Sequence, residues 1–174
     1  MGDPRRQRKK FSKPSHPWQK ERIDAEKEVL KIYGLRRKYE IWKMDSMLKK
    51  FLHMAKTVIG ERTSQSEIEK AQLLNRLHML GLLKKDSKVE DVLNLTLRDL
   101  LERRLQTLVY RKNMAKSILQ ARQFITHENI AVGNRKITAP SYLVSVEEEP
   151  QIRLVHQIST SSANSTKEEK PKAS

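Results

Sequence analysis

Apolar residues repeat at helical spacing over most of the first hundred residues. The clearest stretch places Ile41, Met44, Leu48, Phe51, Ala55 and Val58 on one face at a period of about 3.6 residues, which predicts an amphipathic helix. Residues 18–33 also form a helical pattern that is expected to end at Gly34. Ser64 and Glu67 have the spacing of a capping box for a further helix that stops at Gly81. The pattern therefore predicts a helical domain over residues 18–100.

The pattern changes after residue 100. Thr96 and Asp99 are expected to cap a helix that continues through Arg111, and Ser117 caps another that ends near His127. Residues 130–132 and 135–137 flank a Gly-Asn pair, which predicts a tight hairpin, and residues 142–146 and 152–155 predict two further short strands. The predicted fold class is α+β, predominantly α: an N-terminal helical bundle and, at 101–158, two helices on a small antiparallel sheet.

Both ends of the chain lack the apolar residues that a core requires. Residues 1–17 form a basic N-terminal arm with three prolines, and we expect this arm to be disordered until it contacts a partner. Residues 159–174 are rich in Ser, Lys and Glu and predict a disordered tail.

The charge of the 174-residue chain, formally +15, is unevenly distributed. Lys and Arg outnumber Asp and Glu by 17 to 7 in residues 1–60 and by 8 to 2 in residues 101–140, whereas residues 61–100 hold 7 of each. Two basic segments separated by a neutral one predict two contact regions for a polyanion. Nucleic acid is the first expectation, and an anionic membrane surface or an acidic protein are the alternatives.

The sequence lacks the patterns of common metal and enzyme sites. Cys is absent, the 5 His residues show no metal spacing, and the 5 Gly residues form no phosphate-binding loop. Glu147, Glu148 and Glu149 are interpreted as a solvated turn rather than an acid–base site. The longest apolar run, Met79 to Leu83, is too short to cross a bilayer. We therefore expect a cytoplasmic protein that is not an enzyme and has no metal, cofactor or small-molecule substrate.

Polar side chains recur at helical spacing within residues 101–144. Arg104, Thr107 and Arg111 have the spacing i, i+3, i+7 on the first predicted helix, and Gln120, Gln123 and His127 repeat it on the second. Cations combined with neutral donors and acceptors suit phosphates and base edges. The neighbouring cations Arg103, Lys112, Lys116 and Arg122 favour a phosphate-binding groove, with ordinary helix-surface residues as the alternative.

A second candidate RNA-contacting set lies in the first sixty residues. It comprises Arg5, Arg6, Arg8, Lys9 and Lys10 in the arm, then Trp18, then Lys43, Lys49, Lys50 and Lys56 on the polar side of the helix at 41–58. A basic run beside an aromatic residue suits phosphates and an unpaired base. The alternatives are a solvated tail, the ordinary solvent face of an amphipathic helix and, for Trp18, an anchor of its helix to the core.

Three motifs in combination resemble the RNA-binding domain of the small-subunit ribosomal protein S4 family. They are Arg103-Arg104-Leu105-Gln106-Thr107, Gln120-Ala121-Arg122-Gln123 and Pro140-Ser141-Tyr142. The opening GDPRRQRKKF…HPW resembles the archaeal and eukaryotic-type branch, and the resemblance covers about residues 2–155. The chain departs from the family at Ser117-Ile118, where Ser-Arg is usual, and at Gly133-Asn134, where the order is usually reversed. It also lacks the cysteines through which some bacterial relatives bind zinc.

The resemblance implies a structural constituent of the small subunit of the cytoplasmic ribosome. Such a protein binds small-subunit rRNA early in assembly, holds a multi-helix junction, and lies near the mRNA entry path beside two other ribosomal proteins, with a role in decoding accuracy. By position, the implied RNA-facing residues are Arg103, Arg104, Thr107, Arg111, Lys116, Gln120, Arg122, Gln123, His127, Ser141 and Tyr142. The rival interpretations are a free RNA-binding module, such as an RNA chaperone or a regulator of its own message, and an RNA-modifying enzyme.

Overall fold

The computed structural model describes residues 9–61, 63–85 and 87–155. Within these ranges the chain forms seven α-helices and one three-stranded antiparallel sheet, which confirms the predicted fold class. The helices are α1 (Lys20–Ile32), α2 (Lys38–Gly60), α3 (Ser64–Met79), α4 (Val89–Val92), α5 (Leu97–Glu102), α6 (Leu105–Arg111) and α7 (Ile118–Thr126), and the strands are β1 (Ile130–Val132), β2 (Arg135–Lys136) and β3 (Ile152–Leu154).

Helix α2 carries the core of the N-terminal part. Its apolar face is buried as the spacing predicted, and Phe51 and Ala55 pack with Leu77 of α3 and Val92 of α4. Fully burying a large apolar side chain contributes roughly 1.5–3 kcal/mol. This burial explains why α2 forms even though Arg37, its N-cap residue, provides no side-chain hydrogen bond.

The cap of α3 differs from the prediction, whereas its end does not. The N-cap residue is Thr63, whose hydroxyl accepts a hydrogen bond from the Ser66 amide at 3.2 Å. The Ser66 hydroxyl accepts one from the Thr63 amide at 3.2 Å. Thr63 has the extended backbone that an N-cap requires, while Ser64 is already helical, so the capping box predicted for Ser64 and Glu67 is wrong. Gly81 follows the last turn with φ +69°, as expected for the residue that ends a helix.

The helix predicted to run from Thr96 through Arg111 is broken at residues 103–104. Asp99 accepts the Thr96 amide at 2.8 Å, which confirms that cap. Helix α5 nevertheless ends at Glu102, because Arg104 adopts an extended backbone and forms an antiparallel bridge with Leu143. The Leu105 amide donates to the Tyr142 carbonyl at 2.8 Å. Residues 142–144 thus pair with the backbone of residues 103–105 between α5 and α6, and the strand predicted at 142–146 is not formed.

The sheet has the strand order β2-β1-β3, with Ala131 of β1 opposite Lys136 on one side and Arg153 on the other. Gly133 supplies the positive φ, +58°, of the predicted hairpin turn. Helices α6 and α7 cover the sheet through a core that includes Val109, Ile125 and Ile130, all fully buried. The hydroxyl of Ser117 caps α7 by accepting the Gln120 amide at 3.2 Å, as predicted.

The described part of the N-terminal arm is packed rather than free. The Phe11 ring lies 6.3 Å from the Tyr39 ring and 6.1 Å from the Trp42 ring, centroid to centroid. The Ser12 amide donates to the Ser46 hydroxyl at 3.0 Å. Phe11 and Ser12 therefore connect the arm to α2, while the ordering of residues 9–17 by a partner stays a prediction. Residues 1–8, the tail predicted at 159–174 and the last residues of the second predicted domain lie outside the described residues.

A third apolar cluster joins the two parts of the molecule. Tyr33, Leu35 and Met44 from the N-terminal helices pack with Leu101, and Ile118 of α7 lies against them. This cluster brings the start of α2 next to α6 and α7, where several of the predicted RNA-contacting residues lie.

Candidate nucleic-acid interface

The predicted polar line of Arg104, Thr107 and Arg111 is not a single exposed surface. Arg104 is 1% exposed and Thr107 is 3% exposed, and the Thr107 hydroxyl donates to the Leu101 carbonyl at 2.9 Å. The spacing argument assumed one continuous helix, whereas the break before α6 turns Arg104 and Thr107 into the protein. Both residues therefore leave the candidate RNA-contacting surface, and Arg111 is the exposed member of the three.

Arg104 and Arg122 both bind one buried carboxylate from the N-terminal part. Arg104 Nη2 lies 2.7 Å from Glu40 Oε2, and Arg122 Nη2 lies 3.2 Å from Glu40 Oε1. Burial raises the pKa of the Glu40 carboxyl, but the hydrogen bonds and positive charges of Arg122 and Arg104 outweigh burial and hold that pKa below its usual value. We call these three residues the Glu40 triad; it ties the start of α2 to α6 and α7.

Gln106 completes this connection and was not predicted as a site residue. Its Nε2 donates to the Gly34 carbonyl at 3.0 Å and to the Ile118 carbonyl at 3.1 Å, and its Oε1 accepts from Arg122 Nη1 at 3.3 Å. Gly34 has φ +56°, and a Cβ there would lie 3.0 Å from the Gln106 amide nitrogen. The fully buried amide thus satisfies backbone groups between the two parts. The one signal for it in the sequence was its place inside the Arg103–Thr107 motif.

Arg103 and Lys112 are engaged by the segment that follows the hairpin. Arg103 Nη1 lies 2.7 Å from Glu149 Oε2, and Arg103 Nη2 donates to the Val144 carbonyl at 3.1 Å. Lys112 Nζ donates to the Glu149 backbone carbonyl. The interpretation of residues 147–149 as a solvated turn therefore holds for exposed Glu147 but is wrong for Glu149.

Tyr142 and Ser141 are both half-buried. The Tyr142 hydroxyl donates to Glu148 Oε1 at 2.7 Å, and Glu148 Oε2 accepts the Ser145 amide at 3.1 Å. The hydrogen bond to Glu148, followed by burial, raises the pKa of Tyr142. Burial raises the pKa of Glu148, but the hydrogen bonds from Ser145 and Tyr142 lower it by more, so the pKa lies below its usual value.

An exposed polar surface remains on and beside α7. Lys116, Gln123 and His127 are exposed, and half-buried Gln120 accepts the Lys116 amide at 2.7 Å. Arg111 is exposed and lies 2.8 Å from exposed Glu102, an arrangement that leaves both groups in water. Arg135 and Lys136 on β2 are exposed too, although they were not among the predicted contacts. In the sequence, the signal for them was their place as two adjacent cations directly after the Gly-Asn turn of the predicted hairpin.

The arm and α2 bring a second group of cations together. Lys9, Lys10, Lys49 and Lys50 line one groove of about 370 Å³. Lys10, Lys43 and Lys50 line a neighbouring groove of about 510 Å³. Lys49 lies 2.7 Å from Asp45, but both side chains are exposed, so this ion pair competes weakly with another anion. Five of the predicted lysines thus form one basic surface: Lys9, Lys10, Lys43, Lys49 and Lys50.

Three further predicted positions lie away from these grooves. Lys56 is exposed on α2. Trp18 is 90% exposed just before α1, so it does not anchor that helix to the core. Arg5, Arg6 and Arg8 lie outside the described residues.

Within residues 9–61, 63–85 and 87–155, no three His, Asp or Glu side chains are grouped so that they could hold a metal ion. None of the helices described there is long and apolar enough to span a membrane.

Two helices on a small antiparallel sheet, with exposed Lys, Gln and His side chains, define an RNA-binding domain rather than a catalytic centre. The family model described as the S4 domain matches residues 103–150. Among curated relatives, small ribosomal subunit protein uS4 of Saccharolobus solfataricus is 49% identical over 150 residues, covering 86% of this chain and 83% of the relative. The uS4 protein of Ignicoccus hospitalis is 49% identical over 152 residues, covering 87% and 92%. The chain belongs to the uS4 family of small ribosomal subunit proteins.

Family membership confirms several expectations from the sequence. The uS4 family is a structural, RNA-binding family and not a family of enzymes, and its members belong to the cytoplasmic ribosome. The recognition of the S4 family from the three motifs is confirmed as well.

Proposed function

We propose that the protein is a primary binder of small-subunit rRNA that holds a multi-helix junction and nucleates assembly of the subunit. In this role it lies near the mRNA entry path beside neighbouring small-subunit proteins and contributes to decoding accuracy. The proposal rests on its family and on one observation: two exposed basic surfaces are joined by a buried ionic connection, the Glu40 triad.

The connection matters because RNA helices repel one another. The arm and α2 surface lies on the N-terminal helices, whereas the α7 and β2 surface lies on the S4 domain. The Glu40 triad and Gln106 connect these two parts through buried and half-buried hydrogen bonds. A protein built in this way braces two RNA elements, since each phosphate that it neutralises releases counterions and lowers the repulsion between them.

The proposed RNA-facing residues are those that the structure leaves accessible. On the arm and α2 surface they are exposed Lys9, Lys10, Lys49 and Lys50 and half-buried Lys43, while exposed Lys56 and Trp18 lie away from its grooves. On the S4 domain they are Arg111, Lys116, half-buried Gln120, Gln123 and His127, to which we add Arg135 and Lys136. Arg5, Arg6 and Arg8 stay in the proposal from the sequence alone. Arg103, Lys112, Arg122, Ser141 and Tyr142 are half-buried and mostly bound within the protein, so we place them at the margin of the contact.

The test is the salt dependence of binding to a transcript of the 5′ domain of small-subunit rRNA. Lys43→Gln with Lys50→Gln removes two cations from one surface, and Lys116→Gln with Lys136→Gln removes two from the other. Each pair is expected to flatten the slope of log affinity against log salt by roughly two units. Lys84→Gln with Lys85→Gln, two exposed residues of the neutral segment, is the matched control and leaves the slope unchanged.

If only one of the two basic surfaces changes the slope, the protein does not brace RNA between them. Ribosomal incorporation is tested separately by sedimentation of a cell lysate at high magnesium. A protein that stays at the top of the gradient contradicts the ribosomal role and supports a free RNA-binding module.

A further inference from the structure

An apolar groove opens on α2 next to the N-terminal arm. Its volume is about 510 Å³, and its floor is formed by Met47, Phe51 and Met54. Met54 is 38% exposed, whereas Phe51, one turn before it on α2, is 3% exposed. Methionine side chains are flexible and polarizable, so they pack well against the flat face of an aromatic ligand.

The rim of this groove is cationic. Lys10, Lys43, Lys50, His53 and Arg76 line it, and no carboxylate does so among the residues that the structure describes. The Arg76 guanidinium lies 5.8 Å from the centre of the Phe51 ring, where it covers part of the aromatic face. Apolar side chains beside the four cations Lys10, Lys43, Lys50 and Arg76 suit a ligand with a flat apolar body and an anionic group at its edge.

The cations continue beyond the groove in one direction only. Towards the arm, Lys9 and Lys49 extend the line past Lys10 and Lys50 along the neighbouring groove of about 370 Å³. Towards α3, a further opening of about 540 Å³ shares His53, Met54 and Arg76 but has Glu69 in its lining. Anions are therefore favoured at the arm end and disfavoured at the α3 end.

We propose that this groove binds one unpaired nucleotide of RNA, with its base on Met47 and Met54 and the flanking phosphates along the lysines of the arm and α2. This inference rests on the proposed rRNA-binding function and assigns a specific contact to it. A base has a flat face that stacks on apolar side chains, and a strand has phosphates at regular intervals that a line of lysines matches. An acidic segment of another protein would match the same cations, but the S4 domain and the uS4 family of small ribosomal subunit proteins favour RNA as the occupant.

The experiment measures binding of the full chain to the 5′-domain transcript over a range of salt concentrations. Met47→Ala with Met54→Ala is expected to weaken binding by up to roughly tenfold, the scale of a lost contact between methionine and an aromatic ring. The salt slope stays unchanged in this variant because no phosphate contact is lost. Lys43→Gln with Lys50→Gln instead flattens the slope, so the two kinds of contact are separated by one measurement.

Ile59→Ala with Ile68→Ala is the control for exposed apolar side chains that do not line the groove. Because Met47 also packs against the core, thermal unfolding of the Met variant is measured as well, and binding is compared at a temperature where that variant is folded. Nuclear magnetic resonance of the Met methyl groups in the unaltered protein provides a second readout, in which a short single-stranded oligoribonucleotide is expected to shift the Met47 and Met54 signals.

Each outcome of these measurements decides between defined possibilities. If the Met variant binds the transcript as tightly as the Ile control and the methyl signals do not move, the groove proposal is overturned while the rRNA-binding function stands. A shift of those signals by an acidic amphipathic peptide, with none by RNA, assigns the groove to a protein partner and overturns it as well. If the unaltered protein does not bind the transcript, both proposals fall.

Discussion

The guanidinium of Arg104, immediately before α6, lies 2.7 Å from the carboxylate of Glu40 in the first turn of α2. The two side chains are 1% and 6% exposed. Arg122 of α7 approaches the other carboxylate oxygen at 3.2 Å. One negative charge thus lies between two positive charges, the buried Arg104 and the partly exposed Arg122, and the two parts of the chain are connected through it.

Replacing Glu40 by Gln is expected to lower the free energy of unfolding by about 3–5 kcal/mol, because Arg104 then stays buried without a counter-charge. Urea unfolding followed by circular dichroism measures the loss. Asp24→Asn is the control: Asp24 pairs with Lys27 on the surface, where an ion pair contributes about 1 kcal/mol or less. Equal losses in the two variants would show that the buried triad contributes no more than a surface pair.

The stability of the protein is expected to fall on acidification below about pH 4.5, the ordinary pKa of a Glu side chain. The folded protein holds the pKa of Glu40 below that value, so the unfolded chain takes up a proton first and the equilibrium shifts towards it. The contribution of Glu40 is complete above the unfolded pKa and is lost as the pH falls through the folded pKa. Glu26 and Glu148, whose pKa values are also lowered, add to the same decline.

The free energy of unfolding measured between pH 7 and pH 3 tests this linkage. The Glu40→Gln variant lacks the group and should show a shallower decline than the unaltered protein. A decline of the same steepness in both proteins would assign the acid sensitivity to the other carboxylates.

Periodicity predicted the helices well where one face is buried along its whole length. The α2 stripe from Ile41 to Val58 shows this, since each apolar position faces the core. The prediction failed at residues 103–104, because a helix break is decided there by long-range partners. The Val144 amide donates to the Arg103 carbonyl at 3.1 Å, and a pairing across 41 residues leaves no trace in local spacing.

The candidate site was partly predictable for the same reason. Exposed lysines such as Lys49 and Lys50 follow directly from their place on the polar side of α2. Arg104 and Arg122 have the same chemistry, but their counter-charge, Glu40, lies 64 and 82 residues away in the chain. Charge composition alone did not distinguish a cation that meets phosphate from one that meets a buried carboxylate.

Phe11→Ala is expected to destabilise the free protein by about 1–2 kcal/mol. The ring packs against Tyr39 and Trp42, and an aromatic pair contributes about 0.5–1.5 kcal/mol beyond the area that it buries. Thermal unfolding measures the change, with Lys13→Ala as the control because Lys13 is exposed in the same arm. An unchanged transition in the Phe11 variant would mean that the arm contributes nothing to folding without RNA.

Gly81 and Gly60 are a matched pair for the conformation that ends α3. Gly81 has φ +69°, and a Cβ there would lie 2.9 Å from Val146 Cγ2 and 3.1 Å from Arg103 Cζ. Gly81→Ala therefore forces a side chain into a left-handed conformation and a close contact, at an expected cost of about 1–3 kcal/mol. Gly60 ends α2 with nothing within 4 Å of the same position, so Gly60→Ala is expected to be neutral or to stabilise by up to about 1 kcal/mol. The denaturant midpoint is expected to fall in Gly81→Ala and to stay the same or rise in Gly60→Ala. An unchanged midpoint for Gly81→Ala would show that a side chain at residue 81 is accommodated without strain, contrary to the positive φ and the close contacts with Val146 and Arg103.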